Sequence, residues 1–353
     1  MRILHLASGN RWTGAAAPAF AEVVALRQAG VDAHYAYVGG YKLQAKIGHY
    51  DFTHAMIPKA QNPWSFAGTV RAIDRLLEHH RFDIIHAHLT YDHMLARFAA
   101  RGGAAKTART FHSRRVIRSD PFTRALVAVT DLIFVVNDSL ADAPAIRKRA
   151  PLFTPPPLDS NAFRPQGEDI RERYAIPRDA LLIAAIGKLA PGRGFELVLQ
   201  TFAELHNTVA GARLMIIGHG EHRPALETLA AELGIAAQTT WAGYHEDDLP
   251  EHHRAADFLL FTSKGSDEGH RAVLEAMACG TVPVTVPLAG MSALLGSLAP
   301  RLMADGADPA ALAARIADLR QANDLPARVV QRAMEFSYEP AARRLIGAYS
   351  AIL

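Results

Sequence analysis

Short apolar runs alternate with amphipathic stretches along the chain. ILHLA, DAHYAYV, DIIHAHL, KTARTFH and LIFVVN are β-branched or apolar segments of strand length. Between them, PAFAEVVALRQAG and HMLARFAARGG carry apolar residues at helical spacing, and each stops at glycine. The alternation restarts after residue 165 with LLIAAIG, FELVLQTFAELHNTV, ARLMIIG, PALETLAAELG, FLLFT, AVLEAMACG and VPVTV. Strands alternating with helices predict an α/β fold whose parallel sheets are covered on both faces. The two series are separated by LFTPPPLDSNAFRP, where three consecutive prolines favour an extended, semi-rigid connection. Two Rossmann-like domains are therefore expected, over residues 1–160 and 161–335, with a final helix over 336–353. Such units would enclose a cleft, with ligands at the carboxyl ends of the strands.

Composition narrows the class without naming a function. The 353 residues exceed one average core, which agrees with two domains. The single cysteine, Cys279, excludes an intrachain disulfide and a cysteine-built metal site, and its apolar AMACG context predicts a buried, inert thiol. The opening MRILHLASGN reads as a first strand, because its apolar run is too short for a signal peptide. No apolar stretch is long enough to span a bilayer. A cytoplasmic protein is expected. Residues 1–160 hold 20 lysines and arginines against 12 acids, and the remainder 18 against 23, consistent with the net +3. The basic first half suggests an anionic partner, either a phosphate-bearing acceptor or an acidic membrane surface. No nucleic-acid reader motif accompanies the basic residues, so no nucleic-acid partner is expected.

Candidate chemistry concentrates after residue 183. IAAIGKLAPGRGFELVLQTF reads as strand, glycine-rich loop and helix, with the helix beginning near Phe195. Lys188 and Arg193 flank the loop where free N–H groups of a helix start would point outward, a setting suited to a diphosphate. A solvated basic loop is the plain alternative. Further on, TSKGSDEGHRAVLEAMACGTVPVTVP places Asp267 and Glu268 at the expected start of a short helix and Glu275 farther along it. At 1.5 Å per helical residue these acids would stand roughly 10–12 Å apart, about the span from a hexose to a nucleotide ribose. Carboxylates accept paired hydrogen bonds from vicinal hydroxyls, although a surface helix with scattered acids reads the same way. Gly218 and Gly220 end a strand in LMIIGHGEHRPALE, but glycines in a sharp turn are weak evidence for any ligand. His252 and His253 lie on a predicted helix beside acids, and a solvated helical face is expected there in preference to a zinc site.

In the first half, GNRWTGAAAPAF places Gly14 in a loop of small residues before a helix. His86 and His88 alternate on a strand and so share one face. His112 ends another strand, just before Ser113, Arg114 and Arg115, while Arg118 follows in the same loop. Arg114, Arg115 and Arg118 could meet a phosphate-bearing acceptor or form a solvated loop.

These motifs, in this order over roughly residues 1–350, resemble the retaining glycosyltransferases of family 4. Asp267 stands in the first position of that family's E-x7-E signature, although alignment by the following glycine selects Glu268 instead. Two further departures are the exchanged order of Lys188 and Arg193 and Gly14-Ala15 in place of Gly-Gly. The resemblance implies a GT-B fold, a C-terminal helix crossing back to the first domain, and hexose transfer from a nucleotide-diphosphate sugar with retention. It implies catalytic roles for His112, Lys188, Arg193, Asp267 and Glu268. Gly14, Gly187, Gly192, Gly218, Gly243, Tyr244, Gly269, His270, Arg271 and Glu275 would line the donor, with Glu275 on the ribose and 242–244 against the base. Arg11, Trp12, Arg114 and Arg115 would face the acceptor; Trp12 could equally cover the domain core.

The resemblance further implies no cofactor and no metal, with a UDP-sugar as the expected donor. The sequence has no Asp-x-Asp metal motif, since Glu246-Asp247-Asp248 lacks the spacing. A glycan or lipid-linked acceptor in cell-envelope or polysaccharide synthesis is expected, with the enzyme peripheral on the inner face of the membrane. The alternatives are a catalytically weak scaffold subunit of the same fold, or an epimerase or phosphorylase built on it.

Overall fold

The structure is a computed structural model. It describes residues 1–353 apart from 10, 11, 13, 60, 61, 102–104 and 263–268. The chain forms two compact units: one contains Met1–Pro157, Gly269 and Phe336–Leu353, the other Leu158–Gly265 and His270–Glu335.

The first unit is built on a seven-stranded parallel sheet. Its strands are β1 (Arg2–Ala7), β2 (Asp32–Val38), β3 (Thr53–Ile57), β4 (Ile84–Ala87), β5 (Lys106–Phe111), β6 (Leu132–Val135) and β7 (Leu152–Phe153). Their order is β3-β2-β1-β4-β5-β6-β7, so the chain reverses direction across the sheet between β1 and β4. In register, His5 of β1 stands beside His86 of β4, and His86 beside Ala108 of β5.

Near-continuous apolar runs form these strands because both faces are covered. On one face Ile3, Tyr35 and Ile84 pack with Phe20 and Val23 of the helix Ala16–Gln28 and with Leu345 of the last helix, Tyr338–Ser350. On the other, Leu4, Leu6 and Ile85 pack with Val70, Ile73 and Leu95. The last three belong to the helices Pro63–His80 and Thr90–Ala99. The first of these two is started by Pro63 and by a capping box, in which Asn62 Oδ1 accepts from Ser65 N at 2.9 Å and Ser65 Oγ accepts from Asn62 N at 3.0 Å.

The second unit carries a five-stranded parallel sheet. Its strands are β8 (Leu182–Ile186), β9 (Arg213–Ile217), β10 (Thr239–Gly243), β11 (Phe258–Phe261) and β12 (Val282–Thr285). The order β10-β9-β8-β11-β12 puts the reversal between β8 and β11. Helices Phe195–Thr208, Arg223–Glu232, Leu249–Ala255 and Arg271–Ala278 link successive strands. The thiol of Cys279 is buried and pushed up to about 12 by desolvation, matching the inert role expected.

Two sequence expectations need correction here. The helix after β11 begins at Arg271, with His270 before it at φ 51°, so Glu275 lies on it while the acidic pair precedes it. His252 and His253 form no solvated face: both are fully buried. His252 is held by the Tyr174 hydroxyl at 2.8 Å and by the Asp248 carbonyl at 2.8 Å. Burial lowers the pKa of His253 to about 3.

Candidate functional site

At the carboxyl edge of the five-stranded sheet, loops meet through backbone. Gly187 N donates to Ile217 O at 3.0 Å, Leu189 N to His219 O at 3.0 Å, and Gly218 N to Gly243 O at 2.7 Å. A Cβ at Gly218 would lie 1.9 Å from Gly187 O, and φ there is +149°, so space and conformation both demand glycine.

The loop after β8 then runs through Lys188, Gly192 and Arg193 to Gly194, which starts the fourteen-residue helix Phe195–Thr208. Thr262 Oγ1, from the end of β11, donates to Gly194 O at 2.9 Å and ties this helix start to the reversal point. Lys188 is exposed and reaches Glu221 at 3.6 Å. Arg193 is half-buried beside a helix start, where N–H groups and the helix dipole favour an anion.

Other donor-side candidates of this unit lie around the same edge. Tyr244 is exposed; its hydroxyl donates to Glu246 at 3.1 Å and its ring meets His219 edge-on at 5.1 Å. Glu275 is buried and pairs with Arg271 at 3.4 Å, one helical turn earlier. Buried His270 bonds through Nε2 to the Ala289 carbonyl at 2.8 Å. Gly269, which groups with the first unit, is buried, whereas Asp267 and Glu268 lie outside the described residues.

The seven-stranded sheet builds its carboxyl edge from side chains. Asp92 accepts from Ser8 N and Leu89 N, each at 2.8 Å, and so clamps the turn after β1 to the turn after β4. Desolvation raises its pKa to about 6 against these bonds. His112 directly follows β5, is buried, and takes a 3.1 Å contact from its Nε2 to Nδ1 of His88. Burial lowers its pKa to about 3, which keeps the ring neutral, and its Nδ1 has no hydrogen-bond partner among the described residues. A neutral imidazole there can donate one hydrogen bond.

Gly14 adopts φ +64° just before the helix Ala16–Gln28. Trp12 packs on Phe20 at 5.5 Å with Lys46 over its ring, so it covers the core; Arg11 lies outside the described residues. Arg114 and Arg115 are exposed on a short turn, where Arg114 bonds the Ser139 carbonyl.

Sequence reasoning overlooked Glu22, Asp92 and Arg109, all buried. The available signal was polarity at core positions: Glu22 interrupts the apolar stripe of AFAEVVAL, and Arg109 sits inside a parallel strand.

Two family models match the chain: Glycosyltransferase Family 4 over residues 13–143 and Glycosyl transferases group 1 over residues 166–336. The chain belongs to this family of glycosyltransferases. Among its relatives, the D-inositol 3-phosphate glycosyltransferase of Acidothermus cellulolyticus is 24% identical, over 83% of this chain and 73% of that protein. A mannosyltransferase of Mycolicibacterium smegmatis, named as GDP-mannose-dependent and acting on phosphatidylinositol monomannoside, is 32% identical over 38% of each chain. A glycosyltransferase structure from Rickettsia africae superposes with a TM-score of 0.84 at 15% identity, covering 99% of this chain and 98% of that one. Anabaena HepE in complex with UDP gives 0.81 at 15% identity, covering 99% and 100%. This glycosyltransferase thus has the GT-B fold, with its two parallel sheets as the two Rossmann-like halves.

Proposed function

We propose that this glycosyltransferase moves a hexose from a nucleotide-diphosphate sugar to a phosphate-bearing or lipid-linked acceptor, with retention and without a catalytic metal. The observation that carries the reading is the loop after β8, where Lys188 and Arg193 flank Gly192 just before a fourteen-residue helix. In this reading the acceptor oxygen bonds to the anomeric carbon as the bond to the diphosphate oxygen breaks, and the acceptor proton passes to the leaving phosphate. Lys188 and Arg193 neutralise the charge that develops on the diphosphate. The neutral ring of His112 donates from Nδ1 to the sugar, Glu275 accepts from the ribose hydroxyls, and the acidic pair Asp267 and Glu268 holds the sugar.

The donor base we assign is uracil. HepE has been seen with UDP and with UDP-glucose, while the Mycolicibacterium relative is named for GDP-mannose, so a GDP-sugar is the competing outcome. An acidic membrane surface as partner is supported by exposed Trp64, Phe98 and Phe122 and by the cationic Arg114, Arg115 and Arg118. No helix among the described residues is long and apolar enough to cross a membrane. A role in envelope or polysaccharide synthesis follows from such an acceptor.

The test is nucleoside diphosphate release from UDP-, GDP- and ADP-sugars with and without acceptor lipids or glycans. Transfer requires release that depends on acceptor and a product with the donor's anomeric configuration. Release without an acceptor, or an inverted product, contradicts the proposal.

A further inference from the structure

Beneath His112, the seven-stranded sheet and the helix Ala16–Gln28 bring four metal-ligating side chains to one point. His5 comes from β1, His86 from β4, His88 from just after β4 and Glu22 from the helix, and none is more than 1% exposed. Glu22 Oε2 lies 3.6 Å from His5 Nδ1, 3.7 Å from His86 Nδ1 and 3.8 Å from His88 Nε2. His5 Nδ1 and His88 Nε2 are 3.0 Å apart, and all four atoms fall within 4.8 Å of one another. Glu22 Oε2 has no hydrogen-bond partner among the described residues.

A tetrahedral ion with bonds of about 2.0–2.1 Å separates its ligand atoms by about 3.4 Å. Four of the six pairwise separations, from 3.0 to 3.8 Å, bracket that edge. Three imidazoles and one carboxylate are also a donor set that suits zinc and its neighbours in the transition series. A buried carboxyl oxygen without a hydrogen-bond partner is costly, and a cation at the centre of the four atoms would satisfy Glu22 Oε2. Among the described residues a second cluster, His245, Asp248 and His252, also brings ligand atoms together, but its carboxylate is already paired. His245, Asp248 and His252 are already bonded to Asp248, Tyr174 and the backbone.

We propose that His5, Glu22, His86 and His88 form a binding site for a divalent transition-metal ion of the zinc class, buried in the first unit. Outer contacts already orient two of the ligands: His86 Nε2 meets Thr110 Oγ1 at 2.7 Å, and His88 Nδ1 meets His112 Nε2 at 3.1 Å. Binding requires the Tyr349 hydroxyl, now 2.6 Å from His86 Nδ1, to give up that nitrogen. The ion takes no part in sugar transfer. It instead fixes a tautomer, since metal on His88 Nε2 leaves the proton on Nδ1, which must then donate to His112 Nε2. The proton of His112 is thereby held on Nδ1, the nitrogen that has no hydrogen-bond partner among the described residues. This coupling rests on the reading of His112 given above; the metal site does not.

The full chain is to be unfolded with a chelator, refolded with excess zinc, and desalted before metal analysis. Wild-type protein should retain about one zinc per chain, and cobalt in its place should give the intense visible bands of a tetrahedral site. Zinc should raise Tm by about 5 °C or more. Glu22→Gln and His88→Gln, chosen to preserve hydrogen-bonding shape, should each retain a tenth or less, whereas His252→Gln should retain as much as wild type. Folded wild-type protein with no zinc and no cobalt bands overturns the site. Retention unchanged in both Glu22→Gln and His88→Gln overturns it as well. The cobalt spectrum is read on wild-type protein, so its outcome does not depend on how a variant folds. Nitrogen NMR of the zinc form should show His112 protonated at Nδ1; protonation at Nε2 overturns the coupling and leaves the metal site standing.

Discussion

The two sheets share a parallel topology with one reversal of strand order, yet they build their carboxyl edges from different materials. The five-stranded sheet uses backbone: Gly187, Gly218 and Gly243 bring three loops together by main-chain hydrogen bonds, and the cationic side chains stand at the periphery. The seven-stranded sheet uses buried side chains, with Asp92 clamping two turns and a histidine cluster continuing to His112. A backbone cradle suits an invariant anionic group such as a diphosphate, because N–H groups and helix dipoles recognise charge without specifying shape. Buried imidazoles hold a few donors in fixed directions, which suits one reacting sugar. Substitutions at the first edge should therefore divide into folding effects at glycines and chemical effects at cations. At the second edge the two should be entangled.

Glycine substitution should have the largest effect. Gly218→Ala forces a Cβ to 1.9 Å from Gly187 O at a φ of +149°, and backbone cannot step aside. Loss of about 3 kcal/mol or more in urea unfolding, or failure of the second unit to fold, is expected. Gly14→Ala, at φ +64° with nothing among the described residues within 4 Å of the added Cβ, should cost about 1 kcal/mol through the backbone alone. Equal costs at the two positions would contradict a close backbone approach at Gly218.

Next come the cations. Lys188→Ala and Arg193→Ala should each lower turnover by about 10²–10³ with Tm nearly unchanged, as expected for donors aimed at a leaving group. His112→Ala should lower both turnover and stability, because its ring is packed within the cluster. Unchanged transfer in Lys188→Ala and Arg193→Ala would remove the diphosphate assignment.

A smaller effect is expected from acid. His253 is fully buried, neither of its ring nitrogens has a partner among the described residues, and its pKa is depressed to about 3 in the folded chain. Unfolded, it binds a proton below about 6.5, so its contribution is full above that pH and is lost progressively as pH falls towards 3. At pH 5 the protein should therefore have lost about 2 kcal/mol through this residue relative to pH 7.5, a loss that His253→Phe should abolish. Parallel stability curves for the two proteins between pH 5 and 7.5 would contradict it.

Legibility in the sequence follows the same division. Backbone-built features announce themselves, since Gly187 and Gly218 end apolar runs and so mark the ends of β8 and β9. β10 went unseen because TTWAG is half-buried over most of its length, and so did β3, an edge strand whose THAMI has no clean alternation. The buried cluster was only partly visible. His86 and His88 show by alternation that they share a face, but no spacing rule connects them to His5, 81 residues earlier than His86, or to Glu22 on a helix. Parallel pairing makes that link, by setting His5 beside His86 in register. The start of the helix Arg271–Ala278 was misplaced because an acidic pair looks like a helix opening, while the chain turns at His270 with φ 51°.

Binding of the donor nucleotide is the decisive measurement. Calorimetric titration of the full chain with UDP, GDP and ADP should show one nucleoside diphosphate, UDP by this reading, bound with an affinity that falls tenfold or more in Lys188→Ala and Arg193→Ala. No binding of any of the three, or binding indifferent to both substitutions, would contradict the claim that the backbone-built edge of the five-stranded sheet is the donor site.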